Sequence, residues 1–284
     1  VIKLGRINDL PVTEIGEQEI VLQDRRHRFA IAKKQVPDVN QVGDKVRGFV
    51  YSDRDGNFKF TLLRPYALLG EFAHLYIRNT TSMGAFADWG IESDLFIPSK
   101  ESDGPLDSGR HYTVFVKMDT RNKQIVGTTK YLDFVVAADD GIKNDDIAGY
   151  LITGRHELGY RAVINHRYRG MIYKDQTVGP VAIGQRGEGR VMLVRRDGAI
   201  DISLYRSPQL QQRAAEKVIL EALNKNKGFL PINDKTIPQL IEYKLGMSKK
   251  LFKKALGGLY RLRKISINDD GIRLQKPSKR GQIV

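Results

Sequence analysis

The chain of 284 residues has no cysteine. It can therefore form neither a disulfide framework nor a Cys-ligated zinc site, which fits a reducing compartment. Histidine is also scarce. His27, His74, His111, His156 and His166 never stand four residues apart, so an HxxxH or HExxH helix is excluded and no metal is expected. No run approaches the ~18 apolar residues of a membrane span. The first residues, VIKLGRINDL, lack the shape of a signal peptide, and the expectation is a soluble, cytoplasmic protein. No GxxxxGK[ST] or GxGxxG string stands between a strand and a helix. GQRGEGR from Gly184 leads into a strand, whereas a phosphate cradle needs a helix N-terminus. The acidic pairs Asp139/Asp140, Asp145/Asp146 and Asp269/Asp270 fall in linkers and turns. Two-metal nuclease chemistry needs convergent carboxylates holding ions about 3.5 to 4 Å apart. The expectation is a protein without catalytic residues, metal or cofactor.

Basic residues are plentiful and unevenly placed. The formal charge is +14, with 17 basic against 6 acidic residues over 207–284 and 7 against 11 over 67–140. A localised positive excess is the footprint of a polyanion, because binding releases counterions condensed on phosphates. An anionic membrane surface is the weaker alternative, since no amphipathic helix carries exposed Trp or Phe opposite its lysines.

Three stretches read as one hairpin written again: VGDKVRGFVYSDRDGNFKFTL from Val42, SGRHYTVFVKMDTRNKQIVGTT from Ser108, and IGQRGEGRVMLVRRDGAIDISL from Ile183. Each has a Gly-led turn, an alternating strand, a polar turn and a second alternating strand. Their spacing equals the length of a small β-barrel, so the array predicts three in tandem. Residues 1–66 contain five alternating pieces, the strand count of an OB-type barrel. LRPYALLGEFAHL reads as a short helical connection to the next unit, and ADDGIKNDDIAGY as an acidic linker before the third. Units this small are individually marginal, so neighbours are expected to dock.

The second unit resembles the S1 RNA-binding domain, through Met83-Gly84-Ala85-Phe86, Asp94 to Ser99, Val116-Lys117, and Asp119 with Lys123. In S1 domains two Phe and a His line the RNA face. Here Met83 and Ile97 stand at the first Phe and the His positions, leaving Phe86, with Trp89 as a helper, and the basic Lys117 and Lys123. With its negative charge, this unit is expected to be the weakest binder of the three or a spacer. The third unit interleaves aromatic and basic side chains: Tyr160, Arg161, Arg167, Tyr168, Arg169, Tyr173 and Lys174. Bases stack on rings while guanidinium groups hold phosphates, the chemistry single-stranded RNA needs. Tyr168 is expected in a polar turn, whereas Tyr160 and Tyr173 could equally be half-buried strand residues.

After Leu204 the apolar period changes from two to 3.6. Ser207-Pro208 caps a first helix, a second starts near TIPQLIEY, and Ser248 caps SKKLFKKALGGLYRLR. Lys249, Lys250, Lys253 and Lys254 lie opposite its apolar stripe. KISINDDGIRL follows as a hairpin, so the order is that of a winged helix with Asn268 to Gly271 as the wing. Gly257 and Gly258, inside the third helix, imply either close packing or a break. The fold class is thus mainly β with a C-terminal α+β module: OB-fold units over 1–66, 67–140 and 141–206, a winged helix over 207–275, and a basic tail over 276–284.

With LPINDKTIPQLI, SKKLFKKALGGLYR and VRRDGAIDISL as its most specific stretches, the chain resembles the bacterial conserved virulence factor B family. The resemblance implies tandem S1 domains, a winged helix, RNA as ligand and an effect on gene expression at the RNA level. The leading expectation is a non-enzymatic protein gripping single-stranded RNA. One rival is a DNA-binding regulator using the winged helix, which would want Arg, Asn or Gln readers along its third helix. The other is an adaptor on ribosome, polymerase or nuclease.

Overall fold

A computed structural model of the chain describes residues 1–53 and 55–275; the expected basic tail lies outside the described residues. The polypeptide forms two compact units, Val1–Phe134 and Val135 onward.

In the first unit, β1 (Arg6–Ile15), β2 (Glu19–Gln23), β3 (Arg28–Ala32), β4 (Lys45–Ser52) and β5 (Phe58–Thr61) form one sheet in the order β3-β2-β1-β4-β5. The next five, β6 (Phe72–Thr81), β7 (Gly84–Ala87), β8 (Leu95–Pro98), β9 (His111–Asp119) and β10 (Gln124–Thr128), repeat that connectivity as β10-β9-β6-β7-β8. In the second unit, β11 (Ile147–His156), β12 (Gly159–Ile164), β13 (Tyr168–Tyr173), β14 (Arg186–Val194) and β15 (Ile200–Ser203) form a closed barrel, sealed where β13 runs parallel to β15. The repeated hairpins of the sequence are β4–β5, β9–β10 and β14–β15.

Two irregularities recur with the repeat. Each first strand is bulged, between Val12 and Glu14, Ile77 and Asn79, and Ile152 and Gly154. A bulge bends a strand and sharpens its twist, so one long strand can serve both halves of a barrel. Each third strand ends in a 3-10 turn, at Lys33–Gln35, Ser99–Glu101 and Lys174–Gln176.

The stretch expected to be a helical connection is not helical. Residues 62–71 run as turns, with Gly70 at φ +80° and the Trp89 indole N–H donating to the Ala67 carbonyl at 2.8 Å. Pro65 lacks an N–H and disfavours helix in the residue before it. Nor is ADDGIKNDDIAGY all linker, because β11 starts at Ile147. Phe49 and Tyr51 of β4 pack edge-on against Trp89 at 5.3 and 6.5 Å, in one core with Leu75, Ile77 and Ile97. The first two barrels therefore share a core, as their small size demanded.

The C-terminal module contains α1 (Pro208–Lys225), β16 (Phe229–Leu230), α2 (Pro238–Leu245), α3 (Lys249–Arg261), β17 (Ile265–Asn268) and β18 (Gly271–Leu274), with the sheet ordered β16-β18-β17. The hydroxyl of Ser207 caps α1 by accepting from the Leu210 N–H, and that of Ser248 caps α3 by accepting from Leu251. Ile219, Leu223, Ile241, Phe252, Leu256 and Ile272 meet in its core. This is the expected winged helix. Its third helix is unbroken across both glycines, and only Gly258 is buried: a Cβ there would lie 2.2 Å from the Glu216 carboxylate of α1.

Candidate nucleic-acid interface

The strand registers align the three barrels residue by residue. Glu19 pairs with Ala32 and Val21 with Ala30 in the first. Gly84 pairs with Pro98 and Phe86 with Phe96 in the second; Gly159 pairs with Tyr173 and Arg161 with Met171 in the third. In every case the partners are the start of the second strand and the end of the third, just before the 3-10 turn. Alternation puts Ile20 and Ile31, Ala85 and Ile97, and Tyr160 and Ile172 on the core side. The residues between them face outward on the same surface of each barrel. That surface carries Glu19, Val21, Ala30 and Ala32 in the first barrel, a Phe86–Phe96 pair with centroids 5.1 Å apart in the second, and Arg161 and Tyr173 beside a largely covered Met171 in the third.

The register corrects the S1 correspondence at one position. Ile97 is fully buried, and the outward residue at the end of that strand is Pro98. Trp89 cannot assist Phe86 either, since it is 3% exposed within the shared core. Lys117 is half-buried, paired with Glu101 at 3.0 Å, with its ammonium 5.4 Å from the Phe134 ring centre. Lys123 stands exposed in the β9–β10 turn at φ +55°.

The aromatic and basic residues of the third barrel separate into two groups. Tyr168 is not in a polar turn: it opens β13 with the same parity as Ile172, is 5% exposed, and packs in the core. Its hydroxyl donates to Asp139 at 2.6 Å, and Arg167 pairs with the same carboxylate at 2.7 Å. The Tyr168 bond, then the Gly141 N–H, hold the Asp139 carboxyl below the usual range, and the Asp139 bond raises the Tyr168 phenol. Arg169 pairs with Asp197 at 3.6 Å. Tyr168 is therefore unavailable for stacking, and Arg167 and Arg169 offer a phosphate only guanidinium groups already facing carboxylates. Tyr160 is half-buried on the core side, so it too is a packing residue.

The second group stays open. Tyr173 and exposed Arg161 point outward, and Lys174 is exposed at the following turn, 3.9 Å from Glu242 of α2. Arg195, unnoticed in the sequence, donates to the Tyr173 hydroxyl at 2.7 Å and lies 5.6 Å from its ring centre, braced by Asp201. Leu158, Tyr173, Lys174, Met192, Asp201 and Ile202 line a cavity of about 480 Å³ beside it. The result is a half-apolar recess walled by an aromatic ring that the Arg195 guanidinium holds in place, which suits a stacked base. The repeat held the clue to Arg195: it occupies the start of the hairpin turn, where the first barrel has Asp53 accepting from its own turn N–H groups.

On α3, Lys250, Lys253 and Lys254 are exposed, without an ion-pair partner among the described residues. Lys249 is partly buried, and its ammonium donates to the Lys235 carbonyl at 3.4 Å. Tyr260, 57% exposed, and Arg261 extend the same face by about two turns, as helical spacing from the lysines could have shown. The wing is a two-residue turn of Asp269 and Asp270, tied to Lys235 at 2.8 Å and Arg273 at 2.6 Å.

A series of small barrels ending in a winged helix with an open cationic helix is the build of a nucleic-acid-binding protein. Residues 4–63 match the S1 domain, and residues 217–274 match the CvfB-like winged helix domain. The chain is similar to proteins of the conserved virulence factor B family. It is 24% identical over 246 residues to conserved virulence factor B of Staphylococcus epidermidis (strain ATCC 12228 / FDA PCI 1200), covering 83% of this chain and 82% of that protein. The match to conserved virulence factor B of Staphylococcus aureus (strain N315) is 24% over 252 residues, covering 84% and 82%. YitL of Bacillus subtilis (strain 168) is 24% identical over 231 residues, covering 78% and 77%. Among solved structures, a multidomain protein with nucleic acid binding domains from Streptococcus pneumoniae TIGR4 is 22% identical, with 96% of this chain and 98% of that one covered and a TM-score of 0.43. These domain families are of the nucleic-acid-binding rather than the enzymatic type. Among the described residues no helix is long and apolar enough to cross a membrane.

Proposed function

We propose that this protein binds single-stranded RNA in the cytoplasm, through the Tyr173–Arg195 face of the third barrel and the cationic face of α3, and so acts on gene expression after transcription. The observation that carries this reading is the outward Tyr173 ring with its guanidinium neighbour, at the one register position where the sister barrels hold Ala32 and Pro98. The proposed working units are 1–66, 67–140, 141–206 and 207–275, the third and fourth carrying most of the affinity.

Duplex DNA is the poorer fit. A recognition helix for the major groove needs base-edge readers, and the exposed face of α3 offers lysines, a glycine, Tyr260 and Arg261. Its wing turn is Asp269 and Asp270, each ion-paired, and so brings no positive charge to a phosphate-lined groove. The test is fluorescence anisotropy of the full chain with a labelled 20-nucleotide RNA, competed by the same sequence as single-stranded DNA and by a DNA duplex. RNA is expected to compete best. Stronger competition by the duplex, or absence of RNA binding, would overturn the reading.

A further inference from the structure

Gly257 has no structural reason to be glycine. It lies inside α3 with helical backbone, and a Cβ built on it would meet nothing within 4 Å. Glycine is the worst helix former after proline, so a partly exposed interior position with open space beyond its Cα is expected to hold a better one. Its neighbour Gly258 packs against α1 and accounts for itself; Gly257 does not.

Its surroundings supply a reason. On a helix the neighbours of a residue are those three and four places away. For Gly257 these are Lys253, Lys254, Tyr260 and Arg261, all exposed. Two ammonium groups, an aromatic ring and a guanidinium thus frame a patch of bare helix backbone. The Arg261 Nε–H donates to the Gly257 carbonyl at 3.2 Å, which anchors the guanidinium at the edge of the patch. Lys250 continues the charge one turn earlier.

We propose that Gly257 is the floor of a notch that seats the sugar–phosphate backbone of a nucleic-acid strand. Lys253, Lys254 and Arg261 hold phosphate, Tyr260 takes a base or sugar face, and the missing side chain lets the strand rest against the helix. The recognition is independent of base sequence, because no group of the frame reads a base edge. This inference rests on the reading that α3 meets nucleic acid.

The test uses the full chain, a fluorescein-labelled oligouridine 20-mer, and the variants Gly257→Ala, Gly257→Leu and Tyr260→Ala. Both glycine replacements are expected to raise or preserve the melting temperature, since each is a better helix former in open space. Gly257→Ala is expected to weaken binding roughly threefold to tenfold and Gly257→Leu more, a loss of contact without loss of fold. Tyr260→Ala should cost about fivefold or more. Unchanged binding by both glycine variants, alongside clear weakening by Lys253→Glu with Lys254→Glu, would overturn the notch while leaving α3 in the interface. If that charge reversal also has no effect, the notch falls together with the reading on which it rests.

Discussion

Replacing Tyr173 by Ala should weaken single-stranded RNA binding about tenfold and leave the fold intact. Base–aromatic stacking is worth roughly 1 to 3 kcal/mol per base, or about fivefold to 150-fold in affinity. The lower half of that range applies, because Arg195 already lies 5.6 Å from the ring centre and one side of the ring remains for a base. Tyr173 faces away from the barrel core formed by Ile152, Ile164 and Ile172, so its removal opens no core cavity. Tyr173→Phe separates the ring from the hydroxyl: it loses the 2.7 Å bond from Arg195, while Asp201 still braces the guanidinium. Affinity should then stay within about threefold of wild type, since a lost neutral acceptor on a partly exposed group costs little. Anisotropy titrations from low to high salt add a further criterion, because losing a ring removes no phosphate contact and should leave the slope of log Kd against log salt unchanged. Wild-type affinity for a folded Tyr173→Ala protein would refute the stacking assignment. A Phe variant as weak as the Ala variant would transfer the role from the ring to the hydroxyl and Arg195.

Charge reversal on α3 tests the electrostatic half of the interface: Lys250→Glu with Lys254→Glu should lower the salt slope by about 1.4, or ~0.7 per phosphate contact on a single strand, and an unchanged slope would remove α3 from the RNA surface. Phe252→Ala empties a fully buried position in the winged-helix core and should cost about 3 to 5 kcal/mol in denaturant unfolding of that module; a loss below about 1 kcal/mol would contradict the packing described. His74 gives the second barrel a pH dependence: burial first, then the His111 ring stacked at 5.5 Å, lowers its pKa below the ordinary 6.5. The native state thus favours the neutral ring, and the stability tied to it is full above pH 6.5 and declines as pH falls toward the native value. Melting temperatures between pH 7.5 and 5.5 should fall more for wild type than for His74→Leu, and parallel curves would refute the assignment.

The architecture was legible because it was repeated. A five-strand barrel leaves a closing hairpin and a Gly-led turn in the sequence, and three copies at even spacing identify what one would not. The winged helix was equally plain, since caps at Ser207 and Ser248 and a change of period mark its helices. Individual side chains were harder, because residue type does not give strand parity. Tyr168 and Tyr173 look alike in a run of Arg and Tyr. Five places apart on one strand, they must face opposite ways. Without the start of β13, the inward one could not be told from the outward one. Ile97 was misplaced for the same reason, by one residue, which on a strand exchanges core for surface. Arg167 and Arg169 were misjudged because their partners Asp139 and Asp197 lie 28 residues away in each direction, a separation no local pattern reveals.

One register with three outcomes explains how a repeat can divide its labour. The outward positions carry no core packing, so the barrel tolerates Val21 with Ala32, Phe86 with Pro98, or Arg161 with Tyr173 at no cost to the fold. The inward positions have no such freedom and stay apolar in all three. The first two barrels spend aromatic residues on their joint core, where Phe49, Tyr51 and Trp89 meet, and most basic residues of the second face carboxylates: Arg78 with Asp88, Lys100 with Asp119, Arg110 with Asp107 and Lys117 with Glu101. On α3 the exposed lysines have no such partners among the described residues. A cation already facing a carboxylate releases less when it meets a phosphate, because part of its field is spent. A count of Lys and Arg alone would treat every cation alike. Pairing ranks them more sharply, and by that measure the cations of α3 outweigh an equal number on the second barrel.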